Sequence, residues 1–345
     1  MRATQLATGA ALLVSLTHTA SAAVWGFGDS NLDNGWFTTA PYSGEPKFDM
    51  YLSQAAQLGI GKETNNPGPM SIEMLASALR MIAAQPANKP GGTNFATSGA
   101  KNVNPNATTA GFPNAVPTAT QVNNYLATHV PGPNDVFLID SGANDVNLAL
   151  TLDPTNEQIY LLAAAGGLAN TIELLQNKGA AHLIVVNQPE GFGSPAARDA
   201  RRVYNAALRS SLASAHVTYA WGDRNRVRQD IVANPGTFRM QFTDNTEAHQ
   251  ACPGGPEAGF GFAWALVCSA NSPVIKPTPF AQQTLFADDG HWASNGQAVL
   301  ASYYYCVVRV NWPNLIPPPL PPISIRPAVP YSCAVFSEFA PVRLP

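Results

Sequence analysis

The 345-residue chain carries few charges: 12% of its residues are Asp, Glu, Lys or Arg, 46% are hydrophobic, and the formal net charge is −3. The charged fraction lies well below the roughly 25% of ordinary soluble domains, and the weakly acidic balance, with no basic stripe, excludes the electrostatic footprint of a nucleic-acid-binding protein. The 30 prolines and 27 glycines predict long ordered loops, and the length suits one large domain with or without an appendage.

Residues 1–22 are typical of a secretory signal peptide. Arg2 is followed by an apolar stretch up to Leu16, and the small residues Ala20, Ser21 and Ala22 fit a cleavage site. A short N-terminal helix is the alternative. Because no later segment offers the 18 or so uninterrupted apolar residues of a membrane span, we expect a soluble protein without a transmembrane segment, secreted or periplasmic. We also expect a monomer.

Apolar runs and amphipathic stretches alternate along the rest of the chain. Ile72, Leu75, Leu79 and Ile82, for example, recur at helical spacing. In chain order the sequence predicts a strand at 23–30, a helix at 70–84, a strand end and loop at 91–100, a surface loop at 101–118, a strand ending in a polar loop at 135–145, a helix that starts at Asp153-Pro154 and ends at Gly179, a strand at 181–190, a helix at 194–215, a strand at 216–223, an irregular segment at 244–278 and a last helix at 290–310. Strands that alternate with helices of this length predict an α/β fold with a parallel sheet covered on both faces.

The four cysteines predict two disulfides, because an even number is typical of exported proteins. Three pairings are possible, and we favour Cys252–Cys268 with Cys306–Cys333 because sequential pairs close the shortest loops. No CxxC or Cys/His spacing indicates zinc, and we expect neither a metal nor another cofactor.

The proline-rich segment 311–345 predicts an extended arm packed on a domain formed by 23–310 and pinned through Cys333. A free linker to another partner is the alternative. Between the first two cysteines, Phe260, Phe262 and Trp264 are expected to pack their loop against the domain rather than to line a binding pocket.

Three of the predicted loops follow strand ends and carry residues that suit catalysis. Ligands bind outside the carboxyl ends of parallel strands, so loops far apart in sequence can meet there. The first loop carries Ser30, a candidate nucleophile that could otherwise be an ordinary turn residue. The second carries Gly99, whose backbone N–H is open to a ligand unless the glycine only forms a turn. The third carries Asn144, whose side-chain amide can donate to a ligand or cap a helix.

A nucleophilic serine needs a base, and His291 is the histidine with a patterned partner. It stands three residues after Asp288, a spacing that lets the carboxylate reach the imidazole Nδ1–H and leaves Nε2 to accept the proton of Ser30. Asp289 is a rival for the place of Asp288. The chain has no G-x-S-x-G nucleophile elbow, so the pattern predicts a serine hydrolase of another design.

Four short motifs, FGDSNLDNG, NFATSGA, GAND and DDGH, resemble in order the sequence blocks of the GDSL (SGNH) hydrolase family. Their functional positions in this chain are Ser30, Gly99, Asn144, Asp288 and His291. The resemblance extends from Val24 to about the end of the last predicted helix. It implies a three-layer α/β/α sandwich with a flavodoxin-like parallel sheet.

The resemblance also implies an exported esterase or lipase that needs no cofactor. Ser30 would attack an ester carbonyl, His291 would remove the serine proton, and Asp288 would hold the imidazole. The N–H groups of Ser30 and Gly99 and the amide of Asn144 would form the oxyanion hole. The substrate would be a lipid, an acylated glycan or a small ester. An acyltransferase with the same site and a non-catalytic lipid- or glycan-binding module are the alternatives.

The chain departs from the family pattern in three places. Asn31 stands where leucine is common, Ser98 where glycine is common, and Trp292-Ala293 where Pro-Thr is usual. Trp292 is expected to narrow the pocket beside the base. Three aspartates of these motifs are expected to hydrogen-bond to loop backbone rather than to react: Asp29, Asp33 and Asp145.

Overall fold

The computed structural model describes residues 22–103, 112–191, 193–254, 264–318 and 330–339. Within these ranges one sheet has its strands in chain order: β1 (Val24–Gly28), β2 (Val136–Asp140), β3 (His182–Val186) and β4 (Ala220–Gly222). All neighbouring strands are parallel, with Val24 opposite Val136, Val136 opposite His182, and Ile184 opposite Ala220. The carboxyl ends of β1 to β4 therefore lie along one edge of the sheet.

Helices fill the connections between the strands and also follow the last strand. The α-helices of the described residues are α1 (Pro46–Leu52), α2 (Ala55–Leu58), α3 (Ser71–Ala78), α4 (Thr118–Thr128), α5 (Ala143–Ala149), α6 (Pro154–Asn177), α7 (Pro195–Ser214), α8 (Arg224–Ala233) and α9 (Ser294–Asn311). Between α3 and α4, Thr93 accepts the N–H of Gly26 at 3.1 Å and Phe95 donates to the Gly26 carbonyl at 2.8 Å. This segment adds to the outer edge of β1, as a flavodoxin-like sheet requires.

Each face of the sheet has its own hydrophobic core, because alternate side chains of a strand point to opposite faces. Val24, Leu138 and Ile184 pack with α3, α8 and α9 on one face. Phe27 and Phe137 pack with α4, α5, α6 and α7 on the other. Every residue of β1 and β2 is buried, as expected for parallel strands covered on both sides. The predicted α/β/α sandwich is confirmed.

The helix predicted at Asp153-Pro154 is α6, and it begins as expected. The Asp153 carboxylate accepts the N–H groups of Thr155 and Asn156, each at 3.2 Å, and Pro154 occupies the first helical position. Among the described residues, α6 alone is long and apolar enough to cross a membrane by length and composition. Its apolar side packs in the core beneath the sheet, a position typical of a core helix.

The helix predicted at 70–84 is shorter in the structure, because α3 ends at Ala78. Arg80 has a φ of 54°, a left-handed conformation that ends helices. The chain then turns to the sheet edge, where the N–H of Ile82 donates to the carbonyl of Ala22 at 3.2 Å. Ile82 is therefore 39% exposed instead of packed on a helical face.

Two predicted loops are more ordered than the sequence indicates. The polar loop after β2 forms α5. The predicted surface loop at 101–118 begins and ends inside the protein, since Lys101, Asn102 and Phe112 are buried. The Asn102 amide donates to the Ala164 carbonyl at 2.9 Å and the Tyr204 hydroxyl at 2.8 Å. The sequence did not predict α1, α2, α4 or α8.

Both expected disulfides are present: Cys252–Cys268 and Cys306–Cys333. The second joins α9 to residues 330–339, whose Tyr331 and Phe336 are buried against the core of α9. The arm as a whole stays a prediction, because 319–329 and 340–345 lie outside the described residues. Residues 1–21 of the expected signal peptide also lie outside them, as do Phe260 and Phe262.

Candidate active site

Ser30 lies in the turn that ends β1, at the carboxyl edge of the sheet. Gly28 has a φ of 144°, and a Cβ there would lie 1.8 Å from the carbonyl oxygen of Asp140 on β2, so this position requires glycine. Asp29 donates its N–H to the same carbonyl, and its own carbonyl accepts the N–H of Asp33, each at 3.1 Å. The turn leaves Ser30 8% exposed.

Ser30, His291 and Asp288 form a continuous chain of hydrogen bonds. The Oγ atom of Ser30 lies 2.8 Å from Nε2 of His291. The Nδ1 atom of His291 lies 2.9 and 3.0 Å from the two carboxylate oxygens of Asp288. An ionised carboxylate can only accept hydrogen bonds, so Nδ1 carries a proton, and in the neutral imidazole Nε2 accepts from the serine hydroxyl. The structure thus brings together the predicted nucleophile, base and orienting acid.

Asp288 is buried among hydrogen-bond donors. Besides the imidazole, its oxygens accept the backbone N–H groups of Gly290 at 3.0 Å, His291 at 2.8 Å and Ala265 at 3.1 Å. Burial alone would raise the pKa of Asp288, but the His291 charge and the hydrogen bonds from Gly290 and His291 outweigh it and hold the pKa below its usual value. Asp288 is therefore ionised at neutral pH.

His291 is a stronger base than a free imidazole. Burial lowers its pKa, but the charges of Asp288 and Glu63, the Asp288 hydrogen bond and the charge of Asp29 together raise the pKa to about 9. A group with this pKa takes up a proton readily and releases it only under alkaline conditions.

A tight turn presents Asp288 and His291 at the sheet edge. Ala287 donates its N–H to the His291 carbonyl at 2.7 Å, and Phe286 forms an antiparallel bridge with Trp292. Trp292 is 1% exposed and packs edge-on against Phe286 in the core, with the ring centroids 6.4 Å apart. Trp292 therefore anchors the turn from below, and the expectation that it narrows a pocket is wrong.

Neither Asp289 nor Trp264 contacts the His291 ring through a hydrogen bond in the described structure, and each has a partner elsewhere. Asp289 accepts the side-chain amide of Gln250 at 2.8 Å, whereas Asp288 contacts the imidazole. Trp264 is buried, and its indole N–H donates to the Cys252 carbonyl. The prediction that Trp264 packs its loop is therefore confirmed.

Gly99 lies in a loop that is tied to the loop of Ser30. The preceding residue, Ser98, donates its N–H to Oδ2 of Asp33 at 2.7 Å. Gly99 has a φ of 79°, and a Cβ there would lie 2.6 Å from Cβ of Phe112, so a side chain would disrupt the loop. The oxyanion role of the Gly99 N–H stays a prediction.

Asn144 lies in the first turn of α5, and its amide donates to the Ala100 carbonyl at 3.0 Å. The adjacent Ala143 donates its N–H to Oδ2 of Asp29 at 3.2 Å. These two bonds tie α5 to the loops of Gly99 and Ser30. A side-chain amide has two N–H donors, so the bond to Ala100 uses one of them.

Three aspartates accept hydrogen bonds from backbone N–H groups of the site loops, as expected: Asp29, Asp33 and Asp145. Asp145 accepts the N–H of Asn102 at 2.9 Å and the hydroxyl of Tyr160 at 3.1 Å. Burial raises the pKa of all three, in the case of Asp145 to about 7. They connect the site loops and do not bond to Ser30 Oγ or the His291 ring in the described structure.

Two buried ionisable side chains were not predicted from the sequence. Glu63 is fully buried, with Oε2 3.8 Å from Nδ1 of His291. Arg224 is paired with Asp140 at 2.9 Å, beneath the carboxyl edge of the sheet. Neither glutamate nor arginine follows a spacing that distinguishes it from a surface charge, so the sequence carries no signal for either.

Glu63, Asp288 and His291 also place one potential metal ligand each within 4.8 Å of one another, the one such group found among the described residues. The Nδ1 atom of His291, however, carries the proton that Asp288 accepts. A metal ligand must be deprotonated, so a metal would have to displace that proton. The expectation that the protein works without a metal stays a prediction.

The chain is similar to known proteins over most of its length. A family model described as "GDSL-like Lipase/Acylhydrolase" matches residues 24–304. The chain is also 25% identical over 322 residues to a Pseudomonas putida protein described as "Uncharacterized protein in trpE-trpG intergenic region". That match covers 83% of this chain and 52% of the other protein, so the chain spans about half the length of this curated relative.

Proposed function

The chain belongs to the GDSL-like lipase/acylhydrolase family, and from this membership we propose that it is an exported serine esterase or lipase that hydrolyses carboxylic esters. The observation that carries the proposal is the 2.8 Å contact between Ser30 Oγ and His291 Nε2, with Asp288 on the other imidazole nitrogen. Family membership supports a hydrolase. Our proposal adds three points: the substrates are carboxylic esters, the reaction passes through an acyl-enzyme, and the named residues have the roles given below.

The reaction begins when Ser30 Oγ attacks the carbonyl carbon of the ester while His291 Nε2 takes the serine proton. The tetrahedral intermediate then breaks its C–O bond to the alcohol, and His291 gives the proton to the departing oxygen. An acyl group remains on Ser30. Water attacks this acyl-enzyme with His291 again as base, and the carboxylic acid leaves. Asp288 stays ionised throughout and stabilises the imidazolium.

The negative charge of the tetrahedral intermediate requires donors aimed at the developing oxyanion. We assign this role to the N–H groups of Ser30 and Gly99 and to the amide of Asn144. The assignment is supported by the bonds that fix the three loops to one another, from Ser98 to Asp33 and from Ala143 to Asp29.

Export is supported by the two disulfides, which persist in oxidising compartments such as the periplasm and the extracellular space. The expected signal peptide points the same way. In such a compartment the substrate would be a lipid, an acylated glycan or a small ester.

The proposal is tested by treating the purified protein with a fluorophosphonate and locating the adduct by mass spectrometry. We expect one adduct, on Ser30, and none in a Ser30→Ala variant. Ser98 and Ser141 are fully buried and serve as internal controls. An adduct on either of them, or on no serine, would overturn the nucleophile assignment and favour a non-catalytic binding module.

Product analysis separates hydrolysis from acyl transfer. An activated ester is supplied with and without an added alcohol, and the acid and new ester are quantified. We expect the acid to dominate in both cases. A new ester as main product would identify an acyltransferase with the same site.

A further inference from the structure

Glu63 is a buried carboxyl group that the proposed reaction leaves unused. Its side chain is 0% exposed, and neither carboxyl oxygen has a hydrogen-bond partner in the described structure. Burying a carboxyl group without partners costs stability, and an unsatisfied buried polar group therefore needs an explanation. Its neighbours provide one.

Oε2 of Glu63 lies 3.8 Å from Nδ1 of His291, the same nitrogen that Asp288 holds at 2.9 Å. The longer distance exceeds that of a hydrogen bond. It still lies well within the range in which a carboxylate favours the charged form of an imidazole. Two carboxyl groups, those of Asp288 and Glu63, thus lie on the Nδ1 side of the His291 ring.

The two carboxyl groups have opposite surroundings. Asp288 accepts hydrogen bonds from the imidazole and from three backbone N–H groups, whereas in the described structure the Ser98 side chain is the one donor that acts on Glu63. The negative charge is therefore fixed on Asp288, whereas Glu63 keeps its proton until the pH approaches about 8. Burial raises the pKa of Glu63 to about 8; the His291 charge opposes this rise, and the charges of Asp288 and Asp33 add to it.

The loop that carries Glu63 is fastened to the segments that carry the base and its partner. Asn66 donates its N–H to the Cys268 carbonyl at 3.1 Å. Cys268 lies three residues after Ala265, whose N–H donates to Asp288. The side chain of Asn65 accepts the N–H of Ser294, three residues after His291, at 2.7 Å. These bonds fix the position of Glu63 relative to the imidazole.

The adjacent lysine does not neutralise Glu63. Lys62 is instead paired with Glu73 at 2.8 Å. The charged and titratable groups that act on Glu63 are His291, Asp288 and Asp33, with the hydroxyl of Ser98 beside it. No basic side chain other than His291 is among them, so His291 is the cation that a negative charge on Glu63 stabilises.

We propose that Glu63 is a positioning residue for His291, a second carboxyl group that sets the basicity of the imidazole together with Asp288. The inference rests on the proposed function for its catalytic meaning, because a base matters only where a proton is removed. When Glu63 is ionised it favours the imidazolium, and when it is protonated or absent the imidazole gives up its proton more easily. Glu63 and His291 therefore titrate as a coupled pair.

The first test compares the pH dependence of kcat/KM in the wild type and in Glu63→Gln, with an activated ester as substrate. The general base must be neutral, so the wild-type activity is expected to rise with pH above the ordinary histidine range. Removing the second carboxyl group is expected to move this rise to lower pH by about one unit or more. Glu73→Gln is the matched control, since it removes a carboxyl group paired with Lys62 instead, and its profile is expected to stay in place.

The second test does not depend on turnover. The ring nitrogens of His291 are titrated by NMR in the wild type and in Glu63→Gln, and the pKa of His291 is expected to fall in the variant. An unchanged pKa would overturn the role of Glu63 whatever the enzyme hydrolyses. A lowered pKa in a protein that labels no serine and cleaves no ester would retain the coupling and reject the proposed function.

The wild type alone provides a readout if the variant does not fold. Coupling to Glu63 predicts that the His291 resonances titrate in two steps, of which the first follows the ionisation of Glu63. A single step would count against the proposal.

Discussion

The backbone N–H of Ser98 donates to Oδ2 of Asp33 at 2.7 Å, so a carboxylate of the Ser30 loop fixes the segment that carries Gly99. The other oxygen of Asp33 accepts the N–H groups of Gly35 and Trp36, each at 2.8 Å. One buried side chain therefore sets both the shape of the first loop and its distance from the second.

Replacement of Asp33 by alanine is expected to lower both stability and turnover. Three backbone donors lose their acceptor, at a cost of about 1–3 kcal/mol for each group left buried and unpaired. The Gly99 loop also loses its attachment, so kcat is expected to fall in the protein that remains folded. Urea unfolding and steady-state kinetics measure the two effects. Asp199→Ala, at an exposed ion pair, is the control, and an Asp33 variant with normal kcat would refute the coupling of the loops.

Ser30→Ala is expected to abolish nearly all ester turnover without loss of the fold. Removal of the nucleophile in another serine hydrolase costs roughly 10⁶ in kcat, because no other group can form the acyl-enzyme. Activity assays on a variant with an unchanged circular dichroism spectrum provide the measurement. A loss of less than about tenfold would place the nucleophile elsewhere.

Asn144→Ala is expected to lower kcat by roughly 10²–10³, the usual loss for one oxyanion donor. The variant also loses the bond to Ala100, so its thermal stability is measured alongside. Asn147→Ala is the matched control, since Asn147 lies in the same helix and is exposed. Equal kinetics of the two variants would assign the oxyanion role to other donors.

The protein is expected to lose stability as the pH rises from 5 to 9. Glu63 has its pKa raised to about 8 and His291 to about 9, so the folded state binds protons more tightly than the unfolded chain. The contribution of Glu63 declines between about pH 4.5 and 8 and that of His291 between about pH 6.5 and 9. Asp140 and Asp145, with pKa values raised to about 7, act in the same direction.

Urea unfolding at pH 5, 7 and 9 measures this decline, and Glu63→Gln is expected to flatten it. The variant removes one proton-binding site, and it lowers the pKa of His291 because the charge of Glu63 no longer acts on the imidazole. A free energy of unfolding that rises with pH over this interval would contradict the raised pKa values of Glu63 and His291 in the folded protein.

The two disulfides are expected to differ in what their removal does. Replacing Cys306 and Cys333 by alanine removes the link between α9 and residues 330–339. The loss of a native disulfide typically costs about 2–5 kcal/mol. The kcat is expected to stay close to that of the wild type, because Cys306 lies about 18 Å along α9 from Ser294, the helix end nearest His291. The melting temperature and kcat are measured together.

Replacing Cys252 and Cys268 is expected to lower kcat as well as stability. The Cys268 carbonyl holds the Glu63 loop through Asn66, and the neighbouring Ala265 donates to Asp288. If this double variant retained full activity while losing stability, the disulfide loop would have no part in positioning the acid.

The elements that the sequence predicted well are those with local signals. β2 is a continuous apolar run, and α6 begins with an aspartate cap and a proline. Asp288 and His291 are three residues apart, so their contact needs only a local turn. Ser30 could be linked to them through the family motifs, although no spacing in the sequence encodes its distance from the base.

The features that the sequence did not predict depend on distant partners. α3 stops early because the chain pairs Ile82 with Ala22 at the sheet edge, which helical spacing does not reveal. Asn102 is polar and lies in a segment whose composition is typical of a surface loop. It is nevertheless buried, because Tyr204 and Ala164 accept its hydrogen bonds. Glu63 has no local pattern, and only the folded chain brings it to His291.

The contact between Ser30 and His291 joins positions 261 residues apart. All four strands precede the base in the chain, so a nascent chain holds every strand before the base has been synthesised. A nascent or truncated chain would then carry the serine with no proton acceptor beside it. Completion of the fold and onset of the proposed chemistry are thus one event.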